Sequence, residues 1–447
     1  MTARAFTLSA IFTALTLASV GVRGQSQPSV ISSATDAPLV MDTLTVTAKR
    51  DDITPSETWY YTKLQDIDVY SNGSERATKR LLKDFSDFRI ALDSVWPIKA
   101  KQRQPLTLIL CAHGKFERFI PKADGANVGN DVGRASATLV GPEGAYIILN
   151  IGTPTLLLGG SDDDTTGIAT YEVDYYRLLY REYIHYLLSQ TDTPPPAWYE
   201  EGIAQILMKM DITPTEIVLG KISEATSAST NTNAPVTPPI DSTPDAPGIA
   251  TSQDDSATAD ETTADSDIVS DGDFNVALRH HALLDFNDFF GVTADSPIAR
   301  NPIGNNVWAK QCYAFVHMCR FGAPNKYRKA LETFVVRSAK EPVTEQLFTE
   351  CFGKPYKKVL LELRSYISFT SYKYDDSRTE GKVRIDEPAP ELKPASEGES
   401  SRIQGDALLL ANNAMDAVPV LLAAYGRGER NPQFLATCQR CLGYRYI

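Results

Sequence analysis

Residues 180–188 read Y-R-E-Y-I-H-Y-L-L, and Trp198, 13 residues after His185, begins the run W-Y-E-E-G-I-A. Val173, Tyr176, Tyr180, Ile184 and Leu187 recur at steps of three or four, so the spacing predicts a helix over residues 170–190. Pro194-Pro195-Pro196 ends that helix, and residues 198–210 open a second one with carboxylates in its first turn. Arg181 and His185 stand four apart and so share a face. A fold for this chain must pack two adjoining helices and still find partners for Arg181, Glu182, His185 and Glu201.

The spacing has a chemical meaning. With His in place of Arg181 it would be H-E-x-x-H followed by W-x-x-E-G-x-A. In such a frame two histidines one turn apart share a Zn²⁺, and the Glu between them acts as base on the zinc-bound water. A third ligand from the next helix leaves one position open for that water. The segment resembles the zinc site of gluzincin metallopeptidases. The resemblance implies that Glu182 holds the general-base position, His185 the second ligand position and Glu201 the third. Arg181 holds the first, and a guanidinium has no free lone pair to offer a metal.

Other segments carry the same resemblance. Gln311-Cys312-Tyr313-Ala314-Phe315-Val316-His317 is similar to the Q-S-W-A-x-V-H helix of peptidase-MA-like domains in bacterial exported proteins. Ala282-Leu283-Leu284-Asp285-Phe286, Phe289-Phe290 and Asp295-Ser296 resemble the segment before that helix. The apolar run from Ala145 to Ile151 sits where zincins carry the edge strand that pairs with a peptide substrate. The likeness covers roughly residues 57–373. It implies an α+β fold: a zincin-like N-terminal mixed sheet plus motif helix, then an α-helical subdomain and a short C-terminal helical hairpin.

Three functions are compatible with these residues. One is a pseudo-metallopeptidase or binding module, with Arg181 reaching Glu182 and Glu201 and replacing the charge of the absent dication. No cofactor is then expected. A second is an active peptidase with an altered ligand set, in which weakly held zinc sits on His185, Glu201 and a remote histidine, with Glu182 as base. His113, His280 and His281 are the candidate donors. A third is a structural or partner-binding protein unrelated to peptidases. A di-iron bundle is excluded, because it needs a second E-x-x-H.

The ends and linkers set the remaining expectations. Arg4 followed by the uncharged apolar residues 5–22 reads as a signal peptide, cleaved after Gly24, with a flexible lead over 25–56. The expected location is therefore exported: periplasmic, cell-surface or secreted. No later stretch is long enough to span a membrane. Residues 57–222 read as the α+β subdomain, and within it 66–71 and 106–111 as strands, 74–96 as a helix and 116–119 as a short helix. Residues 223–273 hold 11 acidic residues with no Lys, Arg or aromatic, which predicts a disordered insertion. The chain carries −12 and this segment −11, so the remainder is about −1. A near-neutral body without a basic stripe argues against nucleic acid; a polypeptide or cell-envelope protein is the partner class that the peptidase-like resemblance allows. Residues 274–375 read as helical, including 325–337 and 344–368, and 376–401 as a linker. Residues 402–447 read as a tetratricopeptide-like pair of helices joined near 426–432. Cys312 or Cys319 could pair with Cys351, and buried thiols are the plainer expectation.

Overall fold

Every residue of Leu106–Cys111 is buried, which requires cover on both faces of the sheet it belongs to. The computed structural model describes residues 58–99, 104–112, 115–121, 135–152, 155–158, 169–172, 174–222, 272–301, 303–322, 326–379 and 390–443. The expected signal peptide and lead, His113, and the insertion up to residue 271 lie outside them. The architecture is α+β. In chain order, β1 (Tyr60–Leu64) and β2 (Ile67–Ser71) precede α1 (Glu75–Val95), which Ser74 caps by accepting from the Ala77 amide. Then come β3 (Leu106–Cys111), a 3₁₀ turn at Glu117–Phe119, β4 (Ser136–Val140), β5 (Ala145–Asn150) and the β6 (Thr155–Leu158)–β7 (Ala169–Glu172) hairpin.

Helices α2 (Tyr175–Ser189) and α3 (Ala197–Leu207) follow, with β8 (Asp211–Ile212) and β9 (Glu216–Leu219). The first helix starts later than its apolar spacing suggests. Asp174 caps it by accepting from the amides of Tyr176 and Arg177, and residues 169–172 belong to a strand instead. After the insertion come α4 (Phe274–Ala277), α5 (Phe286–Gly291), α6 (Val307–Phe321), α7 (Arg328–Ser338), α8 (Glu345–Phe352) and α9 (Tyr356–Ile367). Residues 344–368 are thus two helices. Gly353 adopts φ +67° between them, a left-handed value that ends α8, and Pro355 starts α9.

The expected linker supplies β10 (Asp375–Arg378), paired with β9, and β11 (Lys393–Pro394), paired with β1. The C-terminal part is three helices rather than two: α10 (Glu397–Leu410), α11 (Ala414–Gly426) and α12 (Pro432–Gly443). The additional break falls at Asn412, whose φ of +55° is a conformation Asn tolerates better than most residues. Among the described residues neither Cys312 nor Cys319 bridges to Cys351.

The main sheet has the order β11-β1-β2-β3-β5-β4. β2, β3 and β5 run parallel, and β4 is antiparallel to β5. The edge is therefore β4, and the Ala145–Asn150 strand expected there lies one place inward. Alternate residues divide the sheet between two cores. Ile67, Val69, Leu108, Leu110, Ile147 and Leu149 join the core of α1, α2, α3 and α6. Tyr70, Ile109, Leu139 and Ile148 face Ile403, Leu408 and Leu421 of the C-terminal helices. The C-terminal helices are thus the second cover of the sheet.

The helical layers meet closely at Gly202. A Cβ there would lie 2.5 Å from Val316 Cγ2 and 2.6 Å from the Cys312 carbonyl oxygen, so Gly lets α3 lie against α6. Trp198, one turn earlier, is buried among Phe290, Phe315 and Phe334. The ends that flank the insertion are tied to one helix. His317 donates from Nε2 to the Gly220 carbonyl at 2.7 Å, and Tyr313, one turn before it on α6, donates to Asp273 at 3.3 Å.

Replacing residues 223–271 by a short Gly/Ser linker should move the melting temperature by no more than about 2 °C, because both flanks have their own anchors on α6. A large drop on differential scanning would contradict this. Truncation before Ser396 should abolish cooperative unfolding, because it strips the cover from Tyr70, Ile109 and Ile148. A truncated chain that stays soluble and melts cooperatively would show that the second layer is dispensable.

Candidate functional site

The side chains singled out in the sequence meet between α2, α3, the edge strand and a loop before α6. Arg181 is at the centre and is buried, 4% exposed. Its Nη2 donates to Glu201 Oε2 at 2.7 Å, and its Nε reaches Glu201 Oε1 at 3.4 Å. Nη1 donates to Glu182 Oε1 at 3.3 Å. Nη2 also reaches the carbonyl of Asn301 at 3.3 Å. The planar guanidinium thus binds Glu201 through two nitrogens and still serves a second carboxylate, a geometry that Lys could not reproduce.

Glu182 is held from the other side by the edge strand. Ser136 Oγ donates to its Oε1 at 3.0 Å and Thr138 Oγ1 to its Oε2 at 2.5 Å. The alternation of β4 explains this. Ala137 and Leu139 face the second core, so Ser136 and Thr138 face α2. A carboxylate that accepts from two hydroxyls and a guanidinium is fixed in place.

His185 sits beside the pair, with 21% of its side chain exposed. Its Nδ1 is 2.7 Å from Glu200 Oε1. Its Nε2 lies 3.3 Å from Glu201 Oε2, within ion-pair reach but not aligned as a hydrogen bond. Burial alone would lower its pKa. The carboxylates of Glu200 and Glu201 outweigh burial and the repulsion of Arg181 and raise it to about 9. For Glu201 burial acts upward, yet the Arg181 charge and the His185 contact hold the carboxyl well below the usual carboxylate range. At neutral pH, Arg181 and His185 therefore bring two positive charges to three carboxylates.

This arrangement does not fit a zinc ion. Arg181 occupies both oxygens of Glu201, and at the first ligand position its guanidinium has no lone pair to offer. Among the described residues no group of three or more His, Cys, Asp and Glu is arranged to hold a metal ion, so neither His280 nor His281 completes a ligand set with His185 and Glu201.

Several participants were not legible as site residues. Glu200 was visible only as the residue before the expected ligand. Gln205, fully buried, donates from Nε2 to Glu201 Oε1 at 2.8 Å and to the Gly304 carbonyl at 2.7 Å. Gly304 has φ +64°, and a Cβ there would fall 2.2 Å from Gln205 Nε2 and 2.6 Å from Glu201 Oε1. Asn301 shapes this loop through its Oδ1, which accepts from the amides of Ile303 and Gly304 at 3.1 and 2.8 Å. The N-P-I-G-N-N run was the available signal: turn chemistry just before a helix.

The sequence matches no protein-family model and has no significant match among curated proteins. The histidines provide a direct check on the site. A His whose pKa is raised on folding adds stability that is fully present below its unfolded value, near 6.5, and is lost as pH rises through about 9. His317 has the opposite sign. Burial lowers its pKa to about 4, so its contribution is present above pH 6.5 and lost as pH falls toward 4. NMR titration should find His185 still protonated at pH 8, and Glu200→Gln should lower its midpoint. A wild-type His185 that titrates at or below 6.5 would refute the network.

Proposed function

We propose that this chain is an exported gluzincin-like protein in which a protein cation has taken the place of catalytic zinc, and that it works as a pseudo-metallopeptidase or binding module in the cell envelope. One observation carries the reading. The residue at the first ligand position, Arg181, is buried and bridges the carboxylates at the general-base and third ligand positions, Glu182 and Glu201. Such a replacement keeps the two carboxylates from repelling each other once the dication is gone. The resemblance expects Ala145–Ile151 to be the edge strand that pairs with an extended peptide; in the sheet that edge place beside α2 is taken by β4 instead. A polypeptide or cell-envelope protein is accordingly the partner class. Among the described residues no helix is long and apolar enough to cross a membrane.

Catalysis of peptide hydrolysis is not part of this reading. It would need a base free to accept a proton and an electrophile to polarise the carbonyl. Glu182 is engaged by three donors, and Arg181 is engaged by Glu201, Glu182 and the Asn301 carbonyl.

Arg181 is the position to change. Arg181→Ala should destabilise the fold by about 3–5 kcal/mol, the usual cost of leaving buried carboxylates without their cation. Arg181→His should be destabilised without metal and regain stability when zinc is added, through binding to the folded state. Melting curves with and without zinc, with chelator-washed wild type measured alongside, separate the outcomes. If Arg181→Ala costs nothing and Arg181→His shows no zinc-dependent shift, these residues do not descend from a metal site. Stoichiometric zinc in chelator-washed wild type would instead restore the peptidase reading.

A further inference from the structure

The face of α3 that turns away from Arg181 lines a separate cavity of about 230 Å³. Its wall combines Trp96, Tyr199, Ile203, Arg320, Arg328 and Val335. The cavity is mostly apolar, but two arginines, Arg320 and Arg328, and one acidic residue, Glu332, also line it. Arg320 is the deeper one, with 16% of its side chain exposed. Its guanidinium carbon lies 3.9 Å from the centre of the Trp96 ring.

Neither arginine has a close carboxylate. Arg320 Nη2 is 4.0 Å from Asp375 Oδ2, beyond hydrogen-bond distance, and that Asp is half exposed. Arg320 Nε is buried and has no hydrogen-bond partner. Arg328 Nε is 3.9 Å from Glu332 Oε1, and Glu332 is an exposed rim residue. Burial, with the nearby Arg328, also pulls the Arg320 pKa below its ordinary value, the sign of a cation short of counter-charge. Arg181, Arg89 and Lys209 sit much closer to their carboxylates, at 2.7 Å, 2.7 Å and 2.5 Å.

We propose that this cavity binds a carboxylate carried on a compact apolar body, with Arg320 gripping the carboxylate and Trp96, Ile203 and Val335 receiving the apolar part. A guanidinium offers paired donors that match a carboxylate, and the pairing gains strength where water is displaced. The volume is below the ~300–1,000 Å³ typical of drug-sized sites, so the ligand is about the size of one aromatic or branched side chain with its carboxylate. Two sources share this chemistry: a free small carboxylic acid, and the C-terminal carboxylate of a polypeptide ending in an apolar residue. The site is independent of the metal-replacement reading, because it uses the opposite face of α3.

Calorimetric titration of the full chain tests the proposal, using phenylacetate, the neutral phenylacetamide, and a short peptide ending in Phe as free acid or as amide. Phenylacetate should bind at least about ten-fold more tightly than phenylacetamide, as a charge-assisted pair requires. If the polypeptide end is the source, the free-acid peptide should bind more tightly than phenylacetate; if a small acid is the source, it should bind less tightly. Arg320→Gln should remove the preference for acid over amide. Arg328→Gln and Glu332→Gln alter exposed rim positions, so folding should be unaffected. The first should weaken phenylacetate binding several-fold, and the second should strengthen it by removing a competing carboxylate. Equal affinity for acid and amide, no binding of either, or binding indifferent to both rim changes would overturn the assignment.

Discussion

The buried pairing of Arg181 with Glu201 is the interaction on which the arrangement of the central helices depends. Two charges taken out of water are costly, and only close geometry with additional hydrogen bonds repays that cost. The chain supplies both. Two guanidinium nitrogens meet the two oxygens of Glu201, Gln205 adds a donor to the same carboxylate, and the Asn301 carbonyl takes a further N–H. These groups come from three parts of the fold: Arg181 from α2, Glu201 and Gln205 from α3, and Asn301 from the loop before α6. The pair therefore fixes α2 against α3, and both against the loop that Gly304 allows to lie on top of them. The edge strand joins through Glu182, so the ion pair and the sheet are one hydrogen-bonded unit.

The sheet imposes the second constraint. Its central strands are apolar on both sides, and an uncovered face would present Tyr70, Ile109 and Ile148 to water. Helices from the far end of the chain meet that need. Asn413 ties them to the first half by donating to the Arg118 carbonyl at 2.9 Å, and Arg440 reaches Glu143 in the β4–β5 turn at 2.7 Å. The N-terminal sheet and the C-terminal helices thus share a core, although about 300 residues separate Arg118 from Asn413.

Two histidines show how strongly surroundings decide chemistry. His317 is enclosed by aromatic rings and hydrogen-bonded to the Tyr366 hydroxyl and the Gly220 carbonyl, so burial dominates and it stays neutral. His185 has two carboxylates within 3.3 Å and keeps its proton to about pH 9. The same contrast separates Arg181, with carboxylates at hydrogen-bond distance, from Arg320, which has none. Close ion pairing accompanies burial of charge at Arg181, Arg89 and Lys209, and it is missing at the cavity on the far side of α3.

Local patterns in the sequence determined much of this. Helical spacing and the triple proline located α2 and α3, and apolar runs located β2, β3 and β5. The i, i+4 placement alone put Arg181 and His185 on one face. Arg181, Glu182, His185 and Glu201 could be named because their spacing is local and their chemistry is specific. Only the tertiary structure decided the rest. That β4 forms the edge, that Ser136 and Thr138 hold Glu182, and that Gln205 and Gly304 close over Glu201 depend on contacts between segments distant in the chain. The same holds for the C-terminal helices. The sequence read them as a tetratricopeptide-like pair, but a helix pattern names no partner, and the partner was a sheet more than 250 residues earlier in the chain.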